Sequence, residues 1–241
     1  MEMPIDLQHQ AMGYDRTATM FSPEGHLLQV EYAQKTVRLG SASIGMVCSD
    51  GVFIIADKRA DDKLIVQKSA NKIYEIDSHI ISSVAGIVSD ARVLIERAQL
   101  VAQQHRVTYD SPIEPELIIK EISNIKQQFT QYGGARPFGV ALMVAGTNNK
   151  KPELYSSDIT GNYLSYYANA IGENDEKIKE KLRENYKPEI TIKKGVKLAF
   201  DIFQEIQGKK FNITKFELVY IKNDEEKLKR LEGESIKEFV K

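Results

Sequence analysis

Four histidines, His9, His26, His79 and His105, and one cysteine, Cys48, are the side chains of this chain best suited to hold a metal or move a proton. Metal sites need such ligands at short, recurring spacings, and these five residues share none, so no metal and no cofactor is expected. Three motifs that carry hydrolysis are also missing. There is no G-x-x-x-x-G-K-[ST] loop to cradle phosphates, no H-E-x-x-H helix face for a zinc protease and no G-x-S-x-G elbow for an esterase. Cys48 lies in a strand-like apolar run and reads as a small core residue. Being alone it forms no intrachain disulfide, which suits a reducing cytoplasm.

With the familiar chemistries unsupported, the elements themselves become informative. Ser22-Pro23-Glu24-Gly25 has proline second and glycine fourth, as a type I turn prefers. A helix is expected from about His26, ending at Arg38 and Gly40, with the cation suited to the macrodipole and the glycine to the C-terminal stop. Leu27, Val30, Ala33 and Val37 form one apolar stripe at about 100° per residue, and Leu28, Tyr32 and Leu39 form another nearly opposite. A surface helix needs only one such stripe, so the second asks for a cover that another subunit could supply.

The 241 residues, 42% of them hydrophobic, are enough for one domain with its own core, and no linker-like stretch divides them. Residues 1–13 are polar, aperiodic and interrupted by Pro4, and read as a mobile arm before a domain spanning 14–241. They resemble neither a signal peptide nor an anchor. Thirty-three basic against 34 acidic residues leave a net charge of −1, which offers no case for nucleic acid or an anionic membrane. Apolar runs such as VALMVA are too short to span a bilayer.

Beyond Gly40, SASIGMVC and VFIIADK are strand-like runs joined at Ser49-Asp50-Gly51, and NKIYEI and HIISSVA flank Asp77-Ser78. Ser89 or Asp90 is placed to cap a helix whose face is Ala91, Leu94, Ile95, Ala98, Val101, Ala102 and His105. Pro115 opens a second helix that runs towards Gly133-Gly134. Strands follow in Phe138 to Gly146, PELYSSD and GNYLSYYAN, with turns at Asn148-Asn149 and Thr160-Gly161. Helices are expected over 173–186 and 191–207, and FELVYI is a late strand. The charged tail from Asn223, including DEEKLKR, reads as a helix-prone solvated face. Strands, two helices, strands, two helices and a strand point to packed sheets flanked by helices, an α+β order.

The stretch YDRTATMFSPEGHLLQVEYAQKTVRLG closely resembles the N-terminal signature of proteasome α subunits, which has Tyr-Asp-Arg, Ser-Pro-Glu/Asp-Gly and Gln-Val-Glu-Tyr-Ala in this order. KRADDKLIVQKSANKIYEID, GIVSDARVLIERA and QQFTQYGGARPFGV continue the likeness, which runs from Tyr14 to about Tyr220 and is strongest to the single-type archaeal α subunit. His26, Ala135 and Asp61-Asp62 depart from the usual pattern. The resemblance implies the four-layer αββα sandwich of proteasome subunits and N-terminal-nucleophile hydrolases. It implies a cytoplasmic, non-catalytic chain that forms a homo-heptameric ring on the proteasome β subunits. Unfolded protein substrates would pass through that ring into a threonine-type endopeptidase complex.

Residue by residue, Tyr14, Asp15, Pro23 and Tyr32 match the family's gate cluster, with residues 1–13 as the gate. Lys72, with Leu27, Glu31, Gly40 and Gly86, matches an inter-subunit pocket that receives the C-terminal tail of an AAA+ unfoldase ATPase. A lysine ammonium can pair directly with a terminal carboxylate. From its residue type alone, Lys72 is a strand-edge lysine that discourages aggregation. Tyr132, Gly133, Gly134, Ala135 and Arg136, followed by Pro137, match the loop that narrows the channel entrance, where two glycines would let backbones approach closely around the opening; by itself the stretch is a plain helix-to-strand loop.

Gly40-Ser41 stands where catalytic β subunits of the family carry glycine and the threonine nucleophile, and Asp57 and Lys72 occupy related places. An N-terminal nucleophile needs a freed α-amine as its base, hence cleavage between Gly40 and Ser41. A disposable leader has no reason to carry a two-striped helix behind a proline-glycine turn. An active peptidase using Ser41 and a ring-forming scaffold without β partners are the two alternatives to the gated α subunit.

Overall fold

The computed structural model describes residues 12–58, 64–225 and 227–240. Most of the expected arm and the Asp61-Asp62 turn lie outside them. Helix α1 (Leu28–Leu39) precedes the β1–β2 hairpin (Ser43–Cys48, Gly51–Asp57) and the β3–β4 hairpin (Ile73–Asp77, Ile80–Gly86). Helices α2 (Val88–Tyr109) and α3 (Pro115–Phe129) follow, then β5 (Val140–Asn148), β6 (Lys151–Ser157), β7 (Tyr163–Ser165) and β8 (Ala168–Ile171). The chain continues through α4 (Asp175–Asn185), α5 (Ile192–Gln207), β9 (Phe216–Lys222), β10 (Leu228–Glu232) and α6 (Glu234–Val240).

Two five-stranded antiparallel sheets result, ordered β10-β9-β2-β1-β8 and β3-β4-β5-β6-β7. They lie face to face because central strands such as β2 and β5 are apolar on both sides, a pattern that only a doubly covered sheet can satisfy. In β2 all seven residues are buried. Val52, Ile54 and Ala56 join the core between the sheets, whereas Phe53 and Ile55 join the core beneath α4, α5 and α6. The other sheet buries Val84, Val140, Leu142 and Val144 against Leu94, Ala98, Ile118 and Ile122 of α2 and α3. Helices, sheet, sheet and helices make the four-layer αββα sandwich. Cys48 is 2% exposed in the α5 layer, and burial pushes its thiol up from the ordinary range.

Both expected hairpins form, with links at Ser49-Asp50 and, one residue later than the Asp77-Ser78 link the sequence suggested, at Ser78-His79, and the apolar face of α5 is buried as its spacing requires. Three local expectations are corrected. Helix α1 begins at Leu28 rather than His26, because the His26 carbonyl accepts from Ser22 N at 2.9 Å. Asp90 is no cap: α2 starts at Val88 without a side-chain cap, and the Asp90 carboxylate faces Arg136. The charged tail is not one solvated helix; residues 228–232 form β10, paired antiparallel with β9, and only Glu234–Val240 is helical.

The two stripes of α1 also behave differently from the simple expectation. Val37, 4% exposed, enters the intersheet core, with Val30 and Ala33 packed against it. On the opposite stripe Leu28 is already buried within the chain at 5%, while Leu39 is 79% exposed and Tyr32 is half-buried. The demand for an outside cover therefore concentrates at Leu39.

Candidate functional site

The site is built around the two ends of α1. At the N-terminal end, Gly25 N donates to the Ser22 carbonyl at 2.9 Å and Gly25 takes φ +84°, where glycine is favoured. The buried Ser22 Oγ accepts from His26 N at 3.2 Å and donates to Glu24 Oε2 at 3.2 Å, so the turn is tied to the helix entrance. Leu27 is half-buried just before the helix, and His26 Nδ1 contacts the Glu31 carboxylate on its exposed face. Of the four gate candidates, Asp15 is held by Gln29 Nε2 donating to its carbonyl. Tyr14 and Tyr32 are half-buried, and Pro23 is exposed.

At the C-terminal end, Gly40 is extended (φ −70°, ψ 146°) rather than left-handed, so its role as a helix stop is not conformational freedom. A Cβ built there would lie 2.5 Å from Gly86 N. Glycine is required because two backbones touch, which brings Gly40 and Gly86 of the predicted pocket together. Thr36 Oγ1 adds a hydrogen bond to the Gly139 carbonyl at 3.1 Å, pinning the same end to the second sheet.

Immediately beyond, Ser41, Asp57 and Lys72 converge. Ser41 Oγ donates to the Asp57 carbonyl at 2.7 Å, and Lys72 Nζ donates to the Ser41 carbonyl and, at 2.7 Å, to Ser41 Oγ. Asp57 Oδ2 accepts from Gln207 Nε2 at 3.0 Å, and Glu173 N donates to the Gly40 carbonyl at 2.8 Å. A cavity of about 510 Å³ opens beside this cluster, lined in part by Ala42, Asp57, Glu173, Phe203 and Gln207.

Behind Lys72 lies a group that the sequence alone did not single out. Glu217, fully buried, accepts from the backbone N–H of Lys72 and, at 2.8 Å, from Ile73 N. Arg230 Nη1 meets Glu217 Oε2 at 2.6 Å and Arg230 Nη2 donates to the Ile73 carbonyl at 2.8 Å. Burial pushes the Glu217 carboxyl up from its ordinary value, against the two backbone N–H bonds and the nearby Arg230 and Lys58 charges. The signal was a glutamate inside the apolar run FELVYI, since such a charge demands a partner.

The predicted entrance loop is held from α2. Arg136 forms a two-pronged pair with Asp90, Nη1 to Oδ2 at 2.6 Å and Nη2 to Oδ1 at 2.7 Å, and Asp90 Oδ2 also accepts from Gly139 N at 3.0 Å. The Arg136 hydrogen bond holds the Asp90 carboxyl below its usual range and raises Arg136 in return. Gly134 needs glycine for its φ of +81°, whereas a Cβ at Gly133 or Gly134 would meet nothing within 4 Å. Close approach at these glycines is therefore not a requirement of this chain's own packing. Tyr132 is 58% exposed at the loop tip, and Ala135 N donates to its carbonyl at 3.4 Å.

The structure thus unites Gly40, Gly86, Ser41, Asp57 and Lys72 at one end of α1, and leaves Leu27 and Glu31 at the other. The 12 residues of α1 span about 18 Å, and Glu31, in its first turn, stands about 13 Å along the axis from Gly40. Among the described residues no cluster of three or more His, Cys, Asp or Glu side chains could hold a metal ion, and no helix is long and apolar enough to cross a membrane.

Comparison with known proteins bears on what such a site serves. The family model described as "Proteasome subunit" matches residues 37–221, and the model for the N-terminal signature of A-type proteasome subunits matches residues 14–35. The chain is similar to the proteasome α subunit of Archaeoglobus fulgidus, 43% identical over 232 residues, which cover 95% of this chain and 93% of that one. It is 40% identical to that of Methanosarcina thermophila over 229 residues, with the same two coverages. It is 41% identical to that of Pyrococcus abyssi over 228 residues, covering 95% and 87%.

Proposed function

This chain belongs to the proteasome subunit family, as an α-type subunit of the core particle, and on that premise we propose that it is a non-catalytic ring subunit that gates substrate entry and docks an ATPase. Residues 14–241 form the ring-building domain, and residues 1–13 are the gate. Seven copies make a cytoplasmic ring that caps the proteolytic β subunits, and unfolded proteins are threaded through it.

The observation that carries the non-catalytic reading is the integration of α1. Val37 lies in the intersheet core, and Gly40 is pressed against Gly86, so the segment before Ser41 is part of the fold. Burying one such side chain is worth about 1.5–3 kcal/mol, a stabilisation that a cleaved chain would lose. The assembled Ser41–Lys72–Asp57 cluster and the neighbouring cavity are the features that favour the peptidase alternative. In the uncut chain the Ser41 amine is committed to its peptide bond and the Ser41 hydroxyl donates to the Asp57 carbonyl, so the base this alternative needs would exist only after cleavage between Gly40 and Ser41.

Docking draws support from the placement of the pocket residues. One tail-binding pocket needs both groups at the two ends of α1, and a ring supplies them by setting the Leu27 and Glu31 end of one copy against the Lys72 end of the next. Exposed Leu39 is the apolar surface that such a neighbour would cover. A terminal carboxylate is a strong, charge-assisted acceptor for a lysine ammonium such as that of Lys72.

Intact mass of the purified protein, with native mass of the particle, tests the reading. A chain that retains α1, in a ring bound to β subunits, is the expected result. A mature chain beginning at Ser41 would overturn it in favour of the peptidase, and a ring that never associates with a threonine-type protease partner would favour the scaffold.

A further inference from the structure

Strand β3 is the outermost strand of its sheet, so its outer N–H and C=O groups have no neighbouring strand to pair with. Two side chains from the other sheet take that place. Glu217 on β9 accepts from Lys72 N and Ile73 N, and Arg230 on β10 donates to the Ile73 carbonyl while pairing with Glu217. Together they offer the edge an acceptor and a donor, as a sixth strand would. Glu217 is fully buried, and a carboxylate there is stable only while paired. Arg230 supplies its direct partner, Lys58 adds a nearby positive charge, and Tyr74 is a further titratable group close by. Lys58 is itself turned towards Asn71 at 2.8 Å and Glu232 at 3.5 Å, so it is shared among several partners. Holding Glu217 in place therefore falls mainly to Arg230.

The peptide clamped in this way is the one that carries Lys72. Its backbone is gripped on one side by Glu217, and its ammonium reaches Ser41 on the other. We propose that Arg230 is a positioning residue for activator docking: through Glu217 it fixes the backbone from which Lys72 meets the terminal carboxylate of the ATPase tail. This rests on the docking reading of Lys72. Strand β10, a charged segment remote from the pocket in sequence, thereby becomes part of the docking apparatus.

The test measures binding of a fluorescent peptide carrying the last residues of an archaeal proteasomal ATPase to the assembled α/β particle. The peptide is used as the free acid and as the C-terminal amide, with particles carrying Arg230→Met, Arg230→Lys or Lys72→Ala. Arg230→Met should weaken binding of the free acid roughly tenfold, the scale of one charge-assisted hydrogen bond, and should leave the weaker binding of the amide unchanged. Arg230→Lys keeps a cation for Glu217 but cannot also reach the Ile73 carbonyl, so it should recover part of the loss. Free-acid binding by Arg230→Met equal to wild type, with Lys72→Ala deficient, would overturn the positioning role and leave docking intact. Equal losses for acid and amide would also overturn it, since they would mean general distortion. Wild-type binding by Lys72→Ala would instead overturn the docking reading itself. If Arg230→Met fails to assemble, Arg230→Lys decides by the same acid-to-amide comparison.

Discussion

Two lysines, each set against a serine, have opposite surroundings. Lys72 is half-buried at a sheet edge, with its ammonium on Ser41 and its backbone held by the Glu217–Arg230 pair. Lys126 on α3 is fully buried against β6, where Nζ lies 3.2 Å from Ser157 Oγ and 3.3 Å from the Ser157 carbonyl. Burial lowers the Lys126 ammonium to about 7, and the Asp158 charge opposes this only in part. One cation lies at the surface behind a built support, while the other sits in the core with long, neutral contacts. On the docking proposal, the contrast separates a lysine that would meet an outside anion from one that the core merely tolerates.

The largest effect expected is on Lys72. Lys72→Ala should abolish ATP-stimulated protein degradation while the native mass of the particle stays that of the wild type. Retained stimulation would erase the distinction drawn between the two lysines. Lys126→Met should act on stability instead. Between about pH 7 and 10.5 the unfolded chain holds a proton on this lysine that the folded chain has lost, so wild-type stability should rise with pH across that window. Below about pH 7 the lysine is charged in both states and its burial cost is greatest. The methionine variant should therefore be more stable near neutral pH, by an amount on the order of a few kcal/mol, and melt correspondingly higher, with the gain shrinking towards pH 10. Ser157 keeps its contacts with Ser123 and Asp158 in that variant. Equal melting curves at both pH values would mean that Lys126 is not strained by burial. The smallest effect is expected from Lys72→Arg, which keeps the cation but changes its reach and should lose part of the ATPase stimulation. Full stimulation would show that only charge matters at the pocket.

Most of the scaffold was legible because local rules and tertiary packing agree there. The Asp-Gly hairpin, the Pro115 helix start and the apolar face of α5 need only near neighbours in sequence to declare themselves. What escaped depends on partners far along the chain. Asp90 looks like a cap until Arg136 arrives 46 residues later. Residues 228–232 read as a solvated helix because an edge strand is covered on one side only, and its charged residues mask the period of two; the pairing with β9 decides the outcome. For the site, the grouping of Ser41, Asp57 and Lys72 came from family resemblance, since nothing local links residues 31 positions apart. Gly40 was placed correctly as the residue after the helix but for the wrong reason, because a steric contact with Gly86 leaves no mark in a single sequence.

Cys48 has a practical consequence for spectroscopy. The only thiol of the chain is sealed in the α5 layer and held in its protonated, unreactive form. A maleimide added to the folded protein should therefore find almost no background target. A cysteine introduced at exposed Tyr132 would carry one label per copy, and distances between such labels around an assembled ring could be read by energy transfer without first removing the native thiol.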